Sequence, residues 1–405
     1  MKTAAIICEY NPFHNGHKYQ IDEVRRLLGE ETAIVAIMSG NFTQRGECAI
    51  MDKSARAKIA VECGVNLCLE LPFPYSMASA ELFAGAAVHI INSLGTIDYL
   101  VFGSESGNIA SLENIATLML SKDFEVSLKQ EKSKKENKSL GYPELVNIAL
   151  DKLTDKSTDV ELTPNNILAI EYLKALKRLK SKIVPITIKR VGAGYASEKI
   201  EQTSIQSATA IRNAIADKDI SALNYVPKSA KDIILELLSN GDFPVDIAKL
   251  DTAIIAHFRL NTQSDVGEIH DAEGGLYNCL RGAALEASNI QSQLHLAESK
   301  AFTRARLRRA IIFSYLGVTS SEVKEPPRYT QILALDNVGK AVVKSFKGTA
   351  QISILTKPSA IKGLSKEALM QKKRADRADS VYQLTKPCPK DGCYALRMTP
   401  YLKKQ

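Results

Sequence analysis

The sequence predicts an α/β protein: a Rossmann-like domain with a parallel sheet, followed by a mostly helical C-terminal region. Short apolar runs alternate with helix-like segments through the N-terminal half, as they do in βαβ proteins. The segment IICEYNPFHNGHKYQ also places a strand, a loop and a helix start in succession at the beginning of the chain. A doubly wound sheet carries its nucleotide loop after a strand in this way.

The size and composition indicate a globular protein with more than one core. The chain has 405 residues, whereas about 100–200 residues are typical of one domain. Hydrophobic residues make up 45% and charged residues 24%, and no run approaches the roughly 20 apolar residues of a membrane span. Met1 and Lys2 lead into a strand-like run without a signal-peptide pattern. We expect a cytoplasmic protein that makes no membrane contact.

The cysteines and the charge limit the kinds of site. Seven cysteines at irregular spacings favour reduced thiols. Cys388 and Cys393 are the one paired candidate, and because no second pair is near them we predict no metal site. A net charge of +8 and a pI of about 8.9 suit a polyanionic partner without establishing one.

After a first strand at Ala4 to Cys8, the N-terminal half continues the alternation. Ala33 to Met38 predicts a second strand, which runs into the polar loop SGNFTQRGE. Asp52 is expected to begin a helix that ends at Gly64, a residue suited to a helix C-cap. Asn66 to Leu71 follows as a third strand.

A helix from about Ala78 to Leu94 leads into a fourth strand, Tyr99 to Phe102, and the loop FGSESG. Gly103 lies at the carboxyl end of that strand, where open α/β sheets bind ligands, so it is a candidate for close approach to an adenine or ribose. The alternative is an ordinary turn glycine. The charged stretch Lys122 to Lys138 is expected to be a solvated helix or a mobile insertion.

A helix that begins near Thr163 and a strand from Ile183 to Ile188 come next. Asn165 and Asn166 stand at the helix entry, where their amides can contact a nucleotide or a small carboxylate, or cap the helix. Arg190 follows the strand beside a glycine-rich turn, which suits a two-pronged contact with phosphate.

The loop after the first strand predicts a phosphate site. Unpaired N–H groups and the positive end of the helix dipole favour an anion at a helix N-terminus, and Gly16 permits close approach. His14 and His17 are three residues apart across the helix start, so both rings can donate to phosphate oxygens. The alternative is that they are ordinary loop histidines.

The HNGH sequence resembles the HxGH signature of the nucleotidyltransferase superfamily that also contains class I aminoacyl-tRNA synthetases. A second segment, SIQSATAIRNAI at Ser204 to Ile215, resembles the ISSTxIR element of that superfamily, with Ser207, Thr209 and Arg212 at the matching positions. The resemblance implies that the two histidines and Arg212 stabilise the charge that develops as pyrophosphate leaves, and that the hydroxyls contact the triphosphate.

Seven segments together resemble the bacterial tRNA(Met) cytidine acetate ligases: EYNPFHNGH, SGNFTQRGE, DKSARAKIAVECGVNLCLELP, FGSESG, PNNILAIEYLKAL, IKRVGAGY and SATAIR. The resemblance is dense over residues 1–215. It implies an enzyme that uses ATP to activate acetate as acetyl-adenylate and then acetylates the wobble cytidine of elongator tRNA(Met). Mg²⁺ would be bound through the phosphates, and no protein partner is implied.

The resemblance also implies which residues contact ATP. One group is a continuous segment: Ile7, Cys8, Glu9, Tyr10, Asn11, Pro12, Phe13, His14, Asn15, Gly16, His17, Lys18, Tyr19 and Gln20. Gly103, Asn165 or Asn166, and Arg190 complete the set. The chain departs from the family pattern at Ala196, where the family often has a histidine, and at Glu273, which is displaced by one place.

We assign residues 1–215 to ATP binding and catalysis, and residues 216–405 to a mostly helical tRNA-binding domain. The stretch Phe302 to Leu316 is a basic helix that carries four arginines: Arg304, Arg306, Arg308 and Arg309. Arg304 and Arg308 lie one turn apart and could bridge successive RNA phosphates, unless this is only a solvated face. Pro326 to Tyr329 is expected to be a loop with a base-stacking aromatic.

Several questions stay open at this point. Acyl transfer to a cytidine amine needs a proton acceptor, and Asp52 and Glu47 are candidates that the sequence does not distinguish. An adenylyltransferase for a small phosphorylated metabolite would share the fold, although such enzymes are commonly one short domain. A non-catalytic RNA-binding protein with a decayed nucleotide fold is disfavoured by the intact HNGH and SATAIR motifs.

Overall fold

The computed structural model describes residues 1–137, 140–153, 161–191, 205–299 and 301–404. The strands in this part of the chain are β1 (Thr3–Cys8), β2 (Ala33–Ser39), β3 (Phe42–Thr43), β4 (Glu47–Cys48), β5 (Leu67–Leu71), β6 (Tyr99–Ser104), β7 (Val184–Lys189), β8 (Tyr329–Leu335), β9 (Ser353–Leu355) and β10 (Tyr401–Leu402). The helices of the first half are α1 (Asn15–Leu28), α2 (Lys53–Glu62), α3 (Ala80–Leu94), α4 (Ile109–Met119), α5 (Lys122–Ser133), α6 (Tyr142–Asp151), α7 (Pro164–Arg178) and α8 (Ala208–Ala216). Those of the second half are α9 (Lys228–Ser239), α10 (Asp251–Leu260), α11 (Gln263–Val266), α12 (Leu276–Glu286), α13 (Ile290–Ala297), α14 (Arg304–Leu316), α15 (Ser320–Lys324), α16 (Asn337–Ser345) and α17 (Lys366–Tyr382).

A mostly parallel sheet organises the molecule, with the strand order β10-β8-β5-β2-β1-β6-β7 and with β9 beside β8. The chain runs outward from β1 through β2 to β5, and it then returns to the other side of β1 to build β6 and β7. The strand order therefore reverses between β1 and β6. Open α/β sheets bind ligands beyond the carboxyl ends of the strands at such a switch point.

Helices cover both faces of the sheet, as an all-parallel arrangement requires. An apolar core lies on each face of the sheet. Alternate residues of β1 point into one core or the other, because successive side chains of a strand point to opposite faces. Ala5 belongs to the core under α3, α4 and α7, whereas Ala4 and Ile6 belong to the core under α1, α2, α8 and α9. The predicted α/β class and the strands β1, β2, β5, β6 and β7 are confirmed, with bounds that shift by one or two residues.

The C-terminal half is mostly helical, and it also completes the sheet. Helices α10, α12, α13, α14 and α17 share an apolar core that includes Phe42 and Phe73 from the first half. Strand β8 then pairs antiparallel with β5, and β10 pairs with β8. The expected boundary at residue 215 is therefore not a break in the sheet. No helix in the described ranges is both long and apolar enough to cross a membrane.

The charged stretch after Lys122 forms the mostly exposed helix α5, so the expected solvated helix is confirmed, and its buried Phe124 packs into the core below β6. The expectation of a base-stacking aromatic at Tyr329 was wrong. Tyr329 is fully buried at the start of β8, so it cannot stack on a base. The positions Ala196 and Ser204 lie outside the described residues.

Candidate active site

The first element of the site is the start of α1, where His14 is the N-cap residue. The N–H of Gly16 donates to Nδ1 of His14 at 3.0 Å, and the N–H of His14 donates to Nδ1 of His17 at 3.2 Å. The two side chains thus form a reciprocal capping arrangement that satisfies orphan N–H groups of the helix start. The rings stack with centroids 3.8 Å apart and planes inclined by 32°.

These hydrogen bonds determine the tautomer of each ring. Because Nδ1 accepts in both cases, the proton of a neutral imidazole lies on Nε2. Burial, together with Arg190 and Arg212, lowers the pKa of His14 to about 3, and burial together with His14 lowers the pKa of His17. Both rings are therefore neutral Nε2–H donors at physiological pH. Neutral donors can still stabilise charge that develops on a phosphate oxygen.

Gly16 is required by the packing of the His14 ring. A Cβ atom at this position would lie 2.8 Å from Cε1 of His14. The ring could then not keep its place against the helix start. The glycine of HNGH therefore positions the first histidine, in addition to leaving the backbone accessible.

Arg212 connects the second motif to the first. It projects from α8, whose N-cap Ser207 accepts a hydrogen bond from the N–H of Ala210. Its Nη1 donates to the carbonyl of Asn11 at 2.8 Å, and its Nη2 lies 3.2 Å from a carboxylate oxygen of Glu47. Residues about 200 positions apart in sequence thus meet beside the histidines.

Arg190 approaches the site from the end of β7. A Cβ atom on Gly103 of β6 would lie 3.3 Å from Cγ of Arg190, so the absent side chain makes room for the arginine. The positive charge of Arg190 lowers the pKa of both His14 and His17. Gly103, the candidate for an adenine or ribose contact, therefore also makes room for Arg190, the predicted phosphate contact.

One cleft at the β1–β6 switch point is lined by these groups, and about 1110 Å³ of space lies within it and in its opening to solvent. From the predicted ATP contacts and catalytic residues, the lining includes Ile7, Cys8, Glu9, Tyr10, Asn11, His14, His17, Gln20, Gly103, Asn165, Arg190, Ser207, Thr209 and Arg212. Phe83, Phe102, Leu168 and Tyr172 add an apolar part that suits a nucleobase. The cleft therefore offers both an apolar surface and a set of phosphate donors.

Some predicted contacts lie elsewhere. Asn166 is buried, and its Oδ1 accepts from the N–H groups of Glu105 and Ser106, so it holds the loop after β6 instead of facing ATP. Phe13 is buried in the core under α1, and Lys18 pairs with Asp22 on the exposed face of that helix. The side chains of Phe13, Lys18 and Asn166 therefore do not line the cleft, although they are close in sequence to residues that do.

Buried polar groups hold the loops of the site, and the sequence alone did not identify them. Arg56 on α2 is completely buried, and it donates to the carbonyls of Glu9, Gly40 and Met51. Lys53 pairs with Glu70 and with Asp379 of α17. Asp379 is 326 residues from Lys53, so no local pattern could identify this partner.

The arginines of α14 are paired within the protein. Arg304 pairs with Glu298 at the surface, Arg306 lies 3.8 Å from Glu273, and Arg308 pairs with Glu47. Arg309 is buried and pairs with Asp271. Arg309 therefore anchors α14, and its assignment as an RNA contact was wrong. The structure leaves the other three at least partly exposed.

The two candidate proton acceptors have different surroundings. Asp52 is buried, caps α2 through the N–H of Ser54 and lies 3.5 Å from Lys386, so it is a structural carboxylate. Glu47 lines the cleft. Cys388 and Cys393 are exposed free thiols, and no group of three His, Cys, Asp or Glu side chains in the described ranges is arranged to hold a metal ion.

A nucleotide cleft at the switch point, with the HNGH pair at a helix start and Arg212 opposite, defines the class of HIGH nucleotidyltransferases. The family model for HIGH Nucleotidyl Transferase matches residues 1–392. The chain is 39% identical to a tRNA(Met) cytidine acetate ligase of Caldanaerobacter subterraneus subsp. tengcongensis, over 91% of this chain and 92% of that protein. It is 36% identical to one of Acetivibrio thermocellus, over 89% of each chain.

Solved structures agree with this relationship. The crystal structure of Thermotoga maritima TmcAL bound with alpha-thio ATP superposes with a TM-score of 0.91 at 28% identity and covers 99% of both chains. The apo form of that protein gives a TM-score of 0.93 at 29% identity, again over 99% of both chains. The chain belongs to the tRNA(Met) cytidine acetate ligase family of HIGH nucleotidyltransferases.

Proposed function

We propose that this chain is an ATP-dependent acetate ligase. It forms acetyl-adenylate from ATP and acetate, and it then acetylates the wobble cytidine of elongator tRNA(Met) to N(4)-acetylcytidine, releasing AMP and pyrophosphate. The stacked Nε2–H donors of His14 and His17, placed between Arg190 and Arg212, are the observation that carries this proposal. Family membership supplies the identity of the acyl group and the RNA.

In the first step an acetate oxygen attacks the α-phosphate and pyrophosphate leaves. Acetate is already ionised at neutral pH, so this step needs no general base. The protein contributes positioning and electrostatic stabilisation. His14 and His17 donate to the oxygens on which negative charge accumulates, while Arg190 and Arg212 bind the phosphates. Ser207 and Thr209 border the same part of the cleft.

The adenine and the metal ion would bind at different parts of the cleft. The apolar lining formed by Phe102, Leu168 and Tyr172 takes the adenine, and Gly103 permits its close approach. Mg²⁺ would be held by the oxygens of the triphosphate, which are the hard ligands that it prefers, and would neutralise part of the phosphate charge.

The C-terminal helices provide the RNA surface in this proposal. Arg304, Arg306 and Arg308 keep partly exposed side chains on α14, and Arg308 pairs with Glu47, which lines the cleft. Cationic side chains of this kind contact RNA phosphates and give a salt-dependent affinity. We infer a cytoplasmic enzyme, because the proposed reaction uses ATP and tRNA.

A pyrophosphate-release assay separates this function from metabolite adenylylation. The protein is incubated with ATP and Mg²⁺, and acetate or single phosphorylated metabolites are added in turn. We expect pyrophosphate release that depends on acetate and trapping of an acetyl-adenylate. Release that depends on a phosphorylated metabolite and not on acetate would establish the alternative adenylyltransferase.

A further inference from the structure

Glu47 occupies a position that the first reaction step does not use. It lies on β4, and its two carboxylate oxygens face two different guanidinium groups. Oε2 lies 3.2 Å from Nη2 of Arg212 on α8, and Oε1 pairs with Nη1 of Arg308 on α14. The side chain is 26% exposed, so solvent and ligands can reach it. Glu47 therefore links the catalytic half of the chain to the basic helix.

The same residue borders a second cleft. This cleft encloses about 1550 Å³ of empty space and lies between β4, α8, the segment after α9, α13 and α14. Its lining combines apolar side chains, such as Ile290 and Ile312, with polar groups, such as Asn213 and Asn289. Glu47 and Arg212 line both clefts. A group that enters through the second cleft meets the ATP site at this pair.

Both arginine partners of Glu47 lie where phosphates are expected. Arg212 lines both clefts, and Arg308 lines the second one. Phosphate is an excellent bidentate partner for a guanidinium group. ATP therefore competes with Glu47 for Arg212, and an RNA backbone competes with it for Arg308.

We propose that Glu47 accepts the proton of the cytidine amine during acyl transfer, and that the phosphate of acetyl-adenylate and the RNA backbone together release it from its two arginines. This inference rests on the proposed acetate ligase function. The amine nitrogen attacks the carbonyl carbon of acetyl-adenylate, a C–N bond forms, and the bond from that carbon to the phosphate oxygen breaks. AMP leaves with the electron pair, and the amine proton passes to the carboxylate of Glu47.

The groups around Glu47 favour proton acceptance only when the nucleotide and the tRNA are both bound. Arg212 and Arg308 contact it directly, Glu9 and Arg45 lie near it across the ATP cleft, and Cys48 follows it in the chain. Its two arginine partners occupy the carboxylate oxygens that would accept a proton. Their transfer to phosphates exposes those oxygens. Proton transfer is then coupled to the presence of both substrates.

Glu9 is the competing carboxylate. Burial raises its pKa, and its Oε1 accepts from the N–H of Gln44 at 2.8 Å. It lines the ATP cleft but not the second cleft. An amine that enters beside α14 therefore reaches Glu47 before Glu9, which distinguishes the two residues experimentally.

The test is a single-turnover transfer assay. Enzyme is first loaded with ATP, Mg²⁺ and radiolabelled acetate, and bound acetyl-adenylate is quantified. An unmodified elongator tRNA(Met) transcript is then added, and the transfer rate per adenylate is followed. Glu47→Gln, Glu47→Asp and Glu9→Gln are compared with Glu125→Gln, which removes an exposed carboxylate partner of Lys129 on α5. Thermal unfolding verifies that each variant is folded.

We expect Glu47→Gln to transfer about 10²-fold more slowly than wild type. Glu47→Asp keeps part of the transfer rate, which keeps the proposal testable if the Gln variant does not fold. Glu125→Gln behaves as wild type. The proposal is overturned if Glu47→Gln retains the wild-type transfer rate, or if transfer is slowed in Glu9→Gln instead. Wild-type enzyme that makes no acetyl-adenylate contradicts the proposed function itself, independently of Glu47.

Discussion

The imidazole rings of His14 and His17 stack with their centroids 3.8 Å apart, and each ring accepts a backbone N–H through Nδ1. The first ring caps the helix, and the second returns a hydrogen bond to the cap residue. This arrangement fixes both tautomers, so that two Nε2–H groups remain for the ligand. His14 and His17 thus stabilise the helix start and also provide the hydrogen-bond donors for a leaving phosphate.

The first prediction separates these two roles. His14→Ala and His17→Ala should each lower the turnover of acetyl-adenylate formation by about 10²-fold, because each removes a donor to developing charge. His14→Asn should lose similar activity, although asparagine is a good N-cap and keeps the helix start. His295→Ala, at an exposed position on α13, is the control. Turnover within a few-fold of wild type in both alanine variants would refute the role of the histidines.

The second prediction concerns stability and pH. The pKa of His14 in the folded protein is about 3, against an ordinary value of 6.5. Below pH 6.5 the unfolded chain therefore binds more protons than the folded protein. Stability contributed by neutral His14 is complete above this pH and is lost as the pH falls toward 3. We expect His14→Asn to lose less stability than wild type between pH 7 and pH 5.

Urea unfolding at these two pH values measures the difference. The midpoint of the wild-type transition should fall more than that of His14→Asn, with equal slopes for the two proteins. Equal losses would show that His14 is not held neutral in the folded state.

The third prediction tests the close packing at Gly16. Its replacement by Ala places a Cβ atom 2.8 Å from Cε1 of His14, so the ring must shift. We expect Gly16→Ala to reduce adenylate formation at least ten-fold, since about an ångström of misplacement can cost two orders of magnitude in rate. Gly85→Ala on α3 is the matched control, because its Cβ meets no atom within 4 Å. Equal activity of the two variants would show that the ring position is not critical.

How much the sequence could predict depends on how local each interaction is. The β1–loop–α1 unit with His14 and His17 is contiguous, so its pattern predicted both the elements and the donors. Arg212 could be placed only through its motif, because its partner Asn11 lies far away in the chain. Arg56 looked like an ordinary helix residue, and nothing in its neighbourhood indicated that it donates to the backbone of three loops.

The errors have the same cause. Asn166 and Arg309 have the residue types of ligand contacts, but each is buried and paired within the protein. Tyr329 follows two prolines and an arginine, which is typical of a surface loop, yet β8 carries it into the sheet beside β5. Burial of this kind depends on long-range pairing, which a single sequence does not display.

The fourth prediction addresses the basic helix. Arg304 and Arg308 pair with Glu298 and Glu47, and phosphates of RNA must displace both carboxylates. Replacing both arginines with Gln should weaken tRNA binding and reduce the salt slope of the affinity by roughly 2. Lys129→Gln on α5, at an exposed pair with Glu125, is a control that removes one positive charge away from α14. An unchanged affinity of the double variant at every salt concentration would show that α14 is only a solvated face.

The proposed reaction uses ATP and acetate to acetylate one cytidine of one tRNA. The most direct test incubates the protein with ATP, Mg²⁺, isotope-labelled acetate and an unmodified elongator tRNA(Met) transcript, and then analyses the nuclease-digested RNA by mass spectrometry. We predict labelled N(4)-acetylcytidine in the fragment that contains the wobble position, and none when ATP or acetate is omitted or when His14→Ala replaces the wild type. Acetate-dependent adenylate formation without any labelled cytidine in that fragment would contradict the account.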